Sequence, residues 1–179
     1  WSWSRGLGDV YKRQIMILSE HYLKKKKGAI IFDVKCSSQL PILIENFGGT
    51  AIMEKTGHFN IKKAIKKYNA ILGGEMSGHI FINHDWYGFD DAIYTAVMLA
   101  KVISDTGQPA SSVIEQFPKT FTTPELNLDV DDVSKFKMVE KFKEQMKFPD
   151  AEFNTIDGER VSMGNSWGLM RASNTVSYT

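Results

Sequence analysis

The sequence predicts an α/β fold: a layered mixed sheet with flanking helices, followed by a truncated α+β domain with an antiparallel sheet. Three observations carry this reading. Residues 29–34 (AIIFDV) form a short continuous apolar run, the mark of a strand buried on both faces. From there to Ser104 strand and helix patterns alternate, the order expected of a layered α/β domain. After Gly107-Gln108-Pro109 the pattern changes, and short strand-like runs are separated by a turn signal at Asp157-Gly158, as in an antiparallel sheet.

Taken in order, residues 15–26 place Ile15, Ile17, Leu18 and Tyr22 at helical spacing, and Lys24 to Lys27 form a charge run before Gly28. That run reads as a solvated helix end, since cations suit a C-terminus; phosphate binding is the alternative. Residues 37–47 read as a helix stopped by Gly48-Gly49, Thr50–Glu54 as a second strand and residues 60–68 as a basic helix. Strands are expected at 70–72 and 79–83. Asp90-Asp91 opens a long helix over 92–104, with Ile93, Ala96, Val97, Ala100 and Val102 supplying much of its apolar face.

A short helix at 111–117 comes next, and Pro118 and Pro124 punctuate the chain. Residues 125–130 (ELNLDV) alternate as a half-buried strand, Asp131-Asp132 can cap a helix over 133–146, and Phe148-Pro149-Asp150 breaks it. Residues 152–156, 160–163 and 167–172 then read as strands. The second domain is expected to be unfinished, because nothing comes after its last strand to cover the sheet. Residues 1–14 (WSWSRGLGDVYKRQ) show neither the apolar core of a signal peptide nor a helix or strand pattern. They resemble translated sequencing-adapter read-through, as do residues 176–179. The expected organisation is a foreign segment at 1–14, an α/β domain at 15–107, a partial α+β domain at 108–175 and a foreign tail at 176–179.

Composition narrows the function classes. The 179 residues are 42% hydrophobic and 24% charged, with a formal net charge of +1, enough for a core. That balance gives no reason to expect nucleic acid or an anionic membrane as partner. The one cysteine, Cys36, cannot form an internal disulfide, which makes a reducing cytoplasm the default. No apolar run approaches the roughly 18 residues of a membrane span.

The most informative stretch is Gly73-Gly74-Glu75-Met76-Ser77-Gly78-His79, followed by Trp86-Tyr87-Gly88-Phe89-Asp90-Asp91. Glycine suits backbone that takes positive φ or approaches a ligand closely. A carboxylate offers two acceptor oxygens to vicinal hydroxyls, a serine adds a donor and an acceptor, and a histidine can move a proton. Such a set can grip a sugar. A glycine-rich structural turn is the plain alternative. Zinc on Glu75, His79 and His84 is disfavoured because glycines break the helix that such spacing needs, so no metal ligand is assigned.

Arg171-Ala172-Ser173-Asn174-Thr175 comes after the last strand. Its guanidinium fork and neutral donors suit phosphate oxygens, although polar residues after a strand are commonly just a solvated turn. Asp33-Val34-Lys35-Cys36-Ser37 and Lys55-Thr56-Gly57-His58 each sit where a strand ends, the ligand edge of an open α/β sheet. Plainer roles are an exposed Lys35 and a His58 that caps the following helix. Cys36 reads as a small packed residue rather than a nucleophile. Trp86, Tyr87 and Phe89 read as packing beneath the loop, and His84-Asp85 as a turn.

Together the GGEMSGH stretch, Arg171-x-Ser173-Asn174-Thr175, Asp157-Gly158-x-Arg160-Val161 with Trp167-Gly168-Leu169, and the two lysine-bearing strand ends resemble the phosphomannomutase/phosphoglucomutase branch of the α-D-phosphohexomutases, from about residue 15 to 175. The resemblance implies the third domain and part of the fourth of a four-domain enzyme. It implies that Glu75 and Ser77 hold sugar hydroxyls, and that Arg171, Ser173, Asn174 and Thr175 hold the distal phosphate. Lys35, His58 and His79 would line the cleft, with either histidine a candidate for proton transfer. In that family a phosphoserine in the first domain phosphorylates mannose or glucose phosphate, with Mg²⁺ bound and a hexose 1,6-bisphosphate as intermediate and activator. This chain departs from the pattern: it has no Ser-His-Asn-Pro-type loop and no Asp-Gly-Asp-Gly-Asp-type run for Mg²⁺. The missing first and second domains are its implied partners, and no mutase turnover is expected from the chain alone. Rival readings are a phosphoglucosamine mutase fragment, disfavoured by Met76, a natural non-catalytic sugar-phosphate-binding module, and a structural α/β interaction domain that would show no ligand response.

Overall fold

The computed structural model of the chain describes residues 3–173 except 132, with side chains from residue 13 onward. It divides into two compact units, one ending at Thr120 and one starting at Phe121.

The first unit contains α1 (Trp3–Lys25), β1 (Ala29–Asp33), α2 (Gln39–Asn46), β2 (Thr50–Glu54), α3 (His58–Tyr68), β3 (Leu72–Gly74), β4 (Ile80–Ile82), α4 (Ala92–Asp105) and α5 (Ala110–Glu115). Its sheet runs β2-β1-β3-β4, with β1 parallel to both β2 and β3, and β4 antiparallel to β3. Side chains alternate across a strand. Ile30 and Phe32 therefore enter a core shared with Leu18, Tyr22, Leu40 and Ile44 of α1 and α2, together with Met98 and Val113. Ile31, between them, packs with Ile61, Ala64 and Ile65 of α3 on the other face. The apolar run is thus a central strand of a three-layer α/β/α unit, as the sequence predicts.

Several expectations are corrected. Residues 3–14 are helical, as the first half of α1. Gly6 and Gly8 each cost a helix about 1 kcal/mol relative to alanine, yet the turns extend back from the packed stretch at Ile15 to Leu18. The α4 face is also different: Ile93 and Val97 are 81% and 60% exposed, Ala96 and Ala100 are exposed, and Thr95, Met98 and Val102 point inward. This helix is apolar on more than one side, and its packing against β4 and α1 selects the 95/98/102 stripe. Asp91 caps it as expected, its carboxylate accepting from Tyr94 N at 2.9 Å. Finally, α5 belongs with the first unit rather than the second, because Val113 and Phe117 are buried in the first core.

The second unit contains α6 (Ser134–Gln145), β5 (Glu152–Asn154), β6 (Glu159–Met163) and β7 (Ser166–Met170). The three strands form the expected antiparallel sheet in the order β5-β6-β7. Asp131 accepts from Val133 N at 3.1 Å and Ser134 N at 2.9 Å, which satisfies the start of α6 as expected; Asp132 lies outside the described residues. The strand expected over 125–130 does not form: Leu126 and Leu128 are exposed. An alternating run becomes a strand only against a partner, and no strand among the described residues pairs with it. No helix among the described residues is long and apolar enough to cross a membrane.

Candidate functional site

Because β1, β2 and β3 are parallel, the loops leaving their C-terminal ends emerge along one edge. The loop after β1 carries Lys35, which is half-buried; the loop after β2 carries Lys55, Thr56, Gly57 and His58; the loop after β3 carries Glu75, Ser77 and His79. Five of the sequence-predicted residues therefore share one sheet edge.

Asp33, to which the sequence assigns no role of its own, ties these loops together. Its carboxylate is fully buried at the end of β1. Oδ1 accepts from Met76 N at 3.0 Å and from the Cys36 thiol at 3.1 Å, and Oδ2 accepts from the Thr56 hydroxyl at 3.1 Å. Each of the three loops thus contributes a donor to one acidic group. The signal in the sequence was a charge terminating an otherwise apolar strand, since a charge is seldom buried unless hydrogen-bonded. Cys36 is buried and packed, as expected.

The β3–β4 hairpin explains the glycines. Strand β3 lies two residues later than expected, so Gly73 and Gly74 are strand residues. A Cβ on Gly73 would sit 2.7 Å from Ile65 Cδ1, and one on Gly74 2.5 Å from Ile15 Cδ1. They let a helix approach each face, rather than bending the chain or admitting a ligand. Gly78, at φ 98°, is the residue that turns the loop. It donates to Glu75 O at 3.0 Å, while Glu75 N donates to His79 O at 2.9 Å.

Glu75 is only 4% exposed. Its Oε1 accepts from Gly57 N at 2.7 Å and its Oε2 from the Ser77 hydroxyl at 3.3 Å. Each carboxylate oxygen has a second acceptor position, so the group can fix the β2 loop and still receive a ligand hydroxyl. His79 Nδ1 lies 2.7 Å from Asp90 Oδ2. His58 Nε2 lies 3.6 Å from the same oxygen, and the two imidazoles meet at a centroid distance of 4.3 Å. His58 is the first residue of α3, and the N-cap position before it is held by Gly57. Asp90 is a second residue that the sequence does not place in the site. It was expected to open α4 with Asp91, but it faces back, bridging Phe81 and pairing with His79.

The aromatic group is corrected in part. Trp86 packs on the first core, stacks on Tyr94 and donates to Asp91 Oδ2 at 3.1 Å. Tyr87 and Phe89 are exposed and stack on one another instead of lying beneath the loop. Asp85 does more than turn the chain, accepting from the Tyr22 hydroxyl at 3.0 Å. Burial together with this bond holds the phenol well above its usual range.

In the second unit Arg171 comes directly after β7, and its Nε donates to Asp157 Oδ2 at 3.1 Å. That bond orients the guanidinium and leaves the two Nη groups to define any phosphate contact. Ser173 is exposed; Asn174 and Thr175 lie outside the described residues. The turn that holds Asp157 depends on Gly158, at φ 86°, where a Cβ would meet Met170 O at 2.3 Å. Arg160 is buried, with its guanidinium carbon 3.8 Å from the Trp167 ring centroid.

Among the described residues, the group of His, Cys and acidic side chains close enough to share a cation is His58, Glu75 and His79, with ligating atoms within 4.8 Å of one another. Two imidazoles and one carboxylate are a poor set for Mg²⁺, which takes oxygen ligands. The residues present therefore do not fit the magnesium that the resemblance implies.

Residues 12–121 match the family described as phosphoglucomutase/phosphomannomutase, alpha/beta/alpha domain III. A phosphomannomutase/phosphoglucomutase of Pseudomonas putida is 48% identical over 164 residues, 91% of this chain and 35% of the relative. A phosphoglucomutase of Neisseria gonorrhoeae is 43% identical over 166 residues, 91% of this chain and 36% of the relative. The crystal structure of a phosphoglucomutase/phosphomannomutase family protein from Burkholderia thailandensis superposes with a TM-score of 0.85 at 38% identity, covering 92% of this chain and 35% of that one. The chain thus spans about a third of the length of these relatives. By its three-layer sheet, its sequence and its structural neighbours, it belongs to the phosphoglucomutase/phosphomannomutase family.

Proposed function

We propose that this chain is the sugar-recognition domain, with part of the phosphate-binding domain, of a cytoplasmic phosphomannomutase/phosphoglucomutase. The parent enzyme interconverts hexose 1-phosphates and 6-phosphates through a phosphoserine and a hexose 1,6-bisphosphate. Glu75 accepts from two sugar hydroxyls, and Ser77 holds a sugar hydroxyl beside it. Arg171, Ser173, Asn174 and Thr175 hold the phosphate that is not reacting. Lys35 adds positive charge at the sheet edge. His79, oriented by Asp90, or His58 beside it, passes the hydroxyl proton. Phosphoryl transfer depends on alignment and charge neutralisation more than on covalent chemistry. A domain that contributes grip and a proton-transfer group without the phosphoryl donor is therefore a coherent part of such an enzyme, and the chain by itself has no turnover.

The observation that carries this proposal is the buried Glu75 carboxylate, which keeps acceptor capacity beside Ser77, His58 and His79 at the ligand edge of the sheet. The test uses a chimera in which residues 15–175 replace the matching segment of the Pseudomonas putida relative. Glu75→Ala removes two charge-assisted hydrogen bonds worth about 1.5–3 kcal/mol each, so hexose-phosphate affinity should fall by at least about 100-fold. Inorganic phosphate binding should change little. Equal losses for both ligands would argue against a sugar-reading role.

A further inference from the structure

We propose that His58, Glu75 and His79 form a site for one zinc-class divalent cation, with Asp90 as the outer partner that orients His79. The fold, rather than sequence spacing, builds this set. His58 comes from the start of α3, while Glu75 and His79 bracket the hairpin turn. In the sequence Glu75 and His79 are four apart with His84 nearby, and the glycines argue against a helix; the structure brings in His58 instead of His84 and needs no helix.

Three features point to a cation of this class. The ligating atoms lie within 4.8 Å of one another. A tetrahedral zinc with bonds of about 2.1 Å needs its ligands about 3.4 Å apart, so the set closes with side-chain shifts of roughly an ångström, and the exposed His58 side chain allows them. Asp90 Oδ2 lies 2.7 Å from His79 Nδ1. A carboxylate only accepts, so Nδ1 donates to it, and in the neutral imidazole Nε2 then keeps the lone pair that a metal uses. This is the carboxylate–histidine–metal arrangement that raises ligand basicity and fixes the ring. Glu75, 4% exposed, is held by the Gly57 amide and the Ser77 hydroxyl in the manner of a positioned carboxylate ligand. Two imidazoles with one carboxylate select zinc, cobalt or nickel over magnesium or calcium. The fourth position is left to water. Zinc and hexose phosphate then exclude one another, since both need Glu75; this exclusion, unlike the metal site, rests on the proposed sugar-binding role.

Cobalt(II) absorption of the full chain tests the site, because visible d–d bands report coordination directly. One equivalent of Co²⁺ should bind and be displaced by Zn²⁺. His58→Asn, on an exposed side chain that threatens the fold least, should weaken binding by more than about 100-fold, as should His79→Asn and Glu75→Gln. Asp90→Asn should weaken it by about 10- to 100-fold while stoichiometry stays at one. His84→Asn should change nothing. The proposal is overturned if no stoichiometric spectrum forms, or if His58→Asn and His79→Asn bind cobalt as the unmodified chain does. Mannose 1-phosphate should raise the apparent zinc Kd. Zinc binding that is intact but indifferent to the sugar phosphate would overturn the exclusion alone. Sugar-phosphate binding that depends on Glu75, without any metal binding, would overturn the metal site and leave the sugar role standing.

Discussion

Asp33 is the residue whose replacement strains the proposed site most, because one buried carboxylate holds three loops. Replacing it with alanine removes the acceptor from Met76 N, the Thr56 hydroxyl and the Cys36 thiol. A hydrogen bond to a charged group is worth about 1.5–3 kcal/mol, and a thiol is a weak donor. The two stronger contacts therefore set a cost of about 3–6 kcal/mol, a large part of the roughly 5–15 kcal/mol of an ordinary domain. Asparagine should behave differently. Its carbonyl can take the place of Oδ1 for Met76 and Cys36, and its amide can donate to Thr56 Oγ1, whose hydroxyl also accepts. Only charge assistance is lost, about 1–2 kcal/mol. Native-state hydrogen exchange at the Met76 and Gly57 amides is the assay, since it reads the first unit without requiring the whole chain to unfold in one step. Each increment of about 1.4 kcal/mol appears as a roughly tenfold faster exchange in the regime that tracks opening free energy. Equal effects of alanine and asparagine, or an alanine cost below about 1 kcal/mol, would refute the view that this carboxylate anchors the loops.

Other outcomes rest on the same geometry. Gly74→Ala places a methyl 2.5 Å from Ile15 Cδ1, so urea denaturation should show a loss of about 1–3 kcal/mol from overpacking. Gly158→Ala adds backbone strain at φ 86° to a 2.3 Å clash with Met170 O; the Arg171–Asp157 pair should then loosen, seen as loss of the Arg171 Nε–H signal. His21 is held below the usual imidazole value by burial first and by Lys25 and Lys101 next, and its Nε2 is buried with no partner among the described residues. The unfolded chain then binds more protons near its ordinary pKa, so stability should fall as pH drops from about 6.5 towards the lower folded value, and His21→Gln should flatten that slope. In a coupled assay the chain alone should give no interconversion of mannose 1- and 6-phosphates, and turnover would overturn the division of labour proposed for it.

Most of the frame was legible in the sequence for a physical reason. Buried strands and capped helices leave local patterns: residues 29–34 read as a strand buried on both faces, Thr50–Glu54 matched its bounds, and Asp91 announced the start of α4. Long-range choices were not legible. Which side of α4 faces inward depends on the register of β4 and α1 against it, so Ile93 and Val97 looked like core and are exposed. The run at 125–130 had the alternation of a strand without a partner to make it one. Within the site, residue types on loops could be read from the strand ends that carry them. Asp33 and Asp90 escaped because their importance lies in their contacts, 43 residues away at Met76 and 11 away at His79. The glycines at 73 and 74 suggest close approach of a ligand in the sequence, whereas packing against Ile65 and Ile15 is what requires them.

The most direct measurement of the central claim is an amide chemical-shift titration of the full chain with mannose 1-phosphate, run beside inorganic phosphate. A sugar grip at Glu75 predicts that the sugar phosphate moves the amides of Gly57, Met76, Ser77 and Gly78 around it, that inorganic phosphate does not, and that Glu75→Ala abolishes the difference. Identical shifts with both ligands, or shifts confined to the second unit around Arg171, would contradict the assignment of the β3–β4 hairpin as the sugar grip.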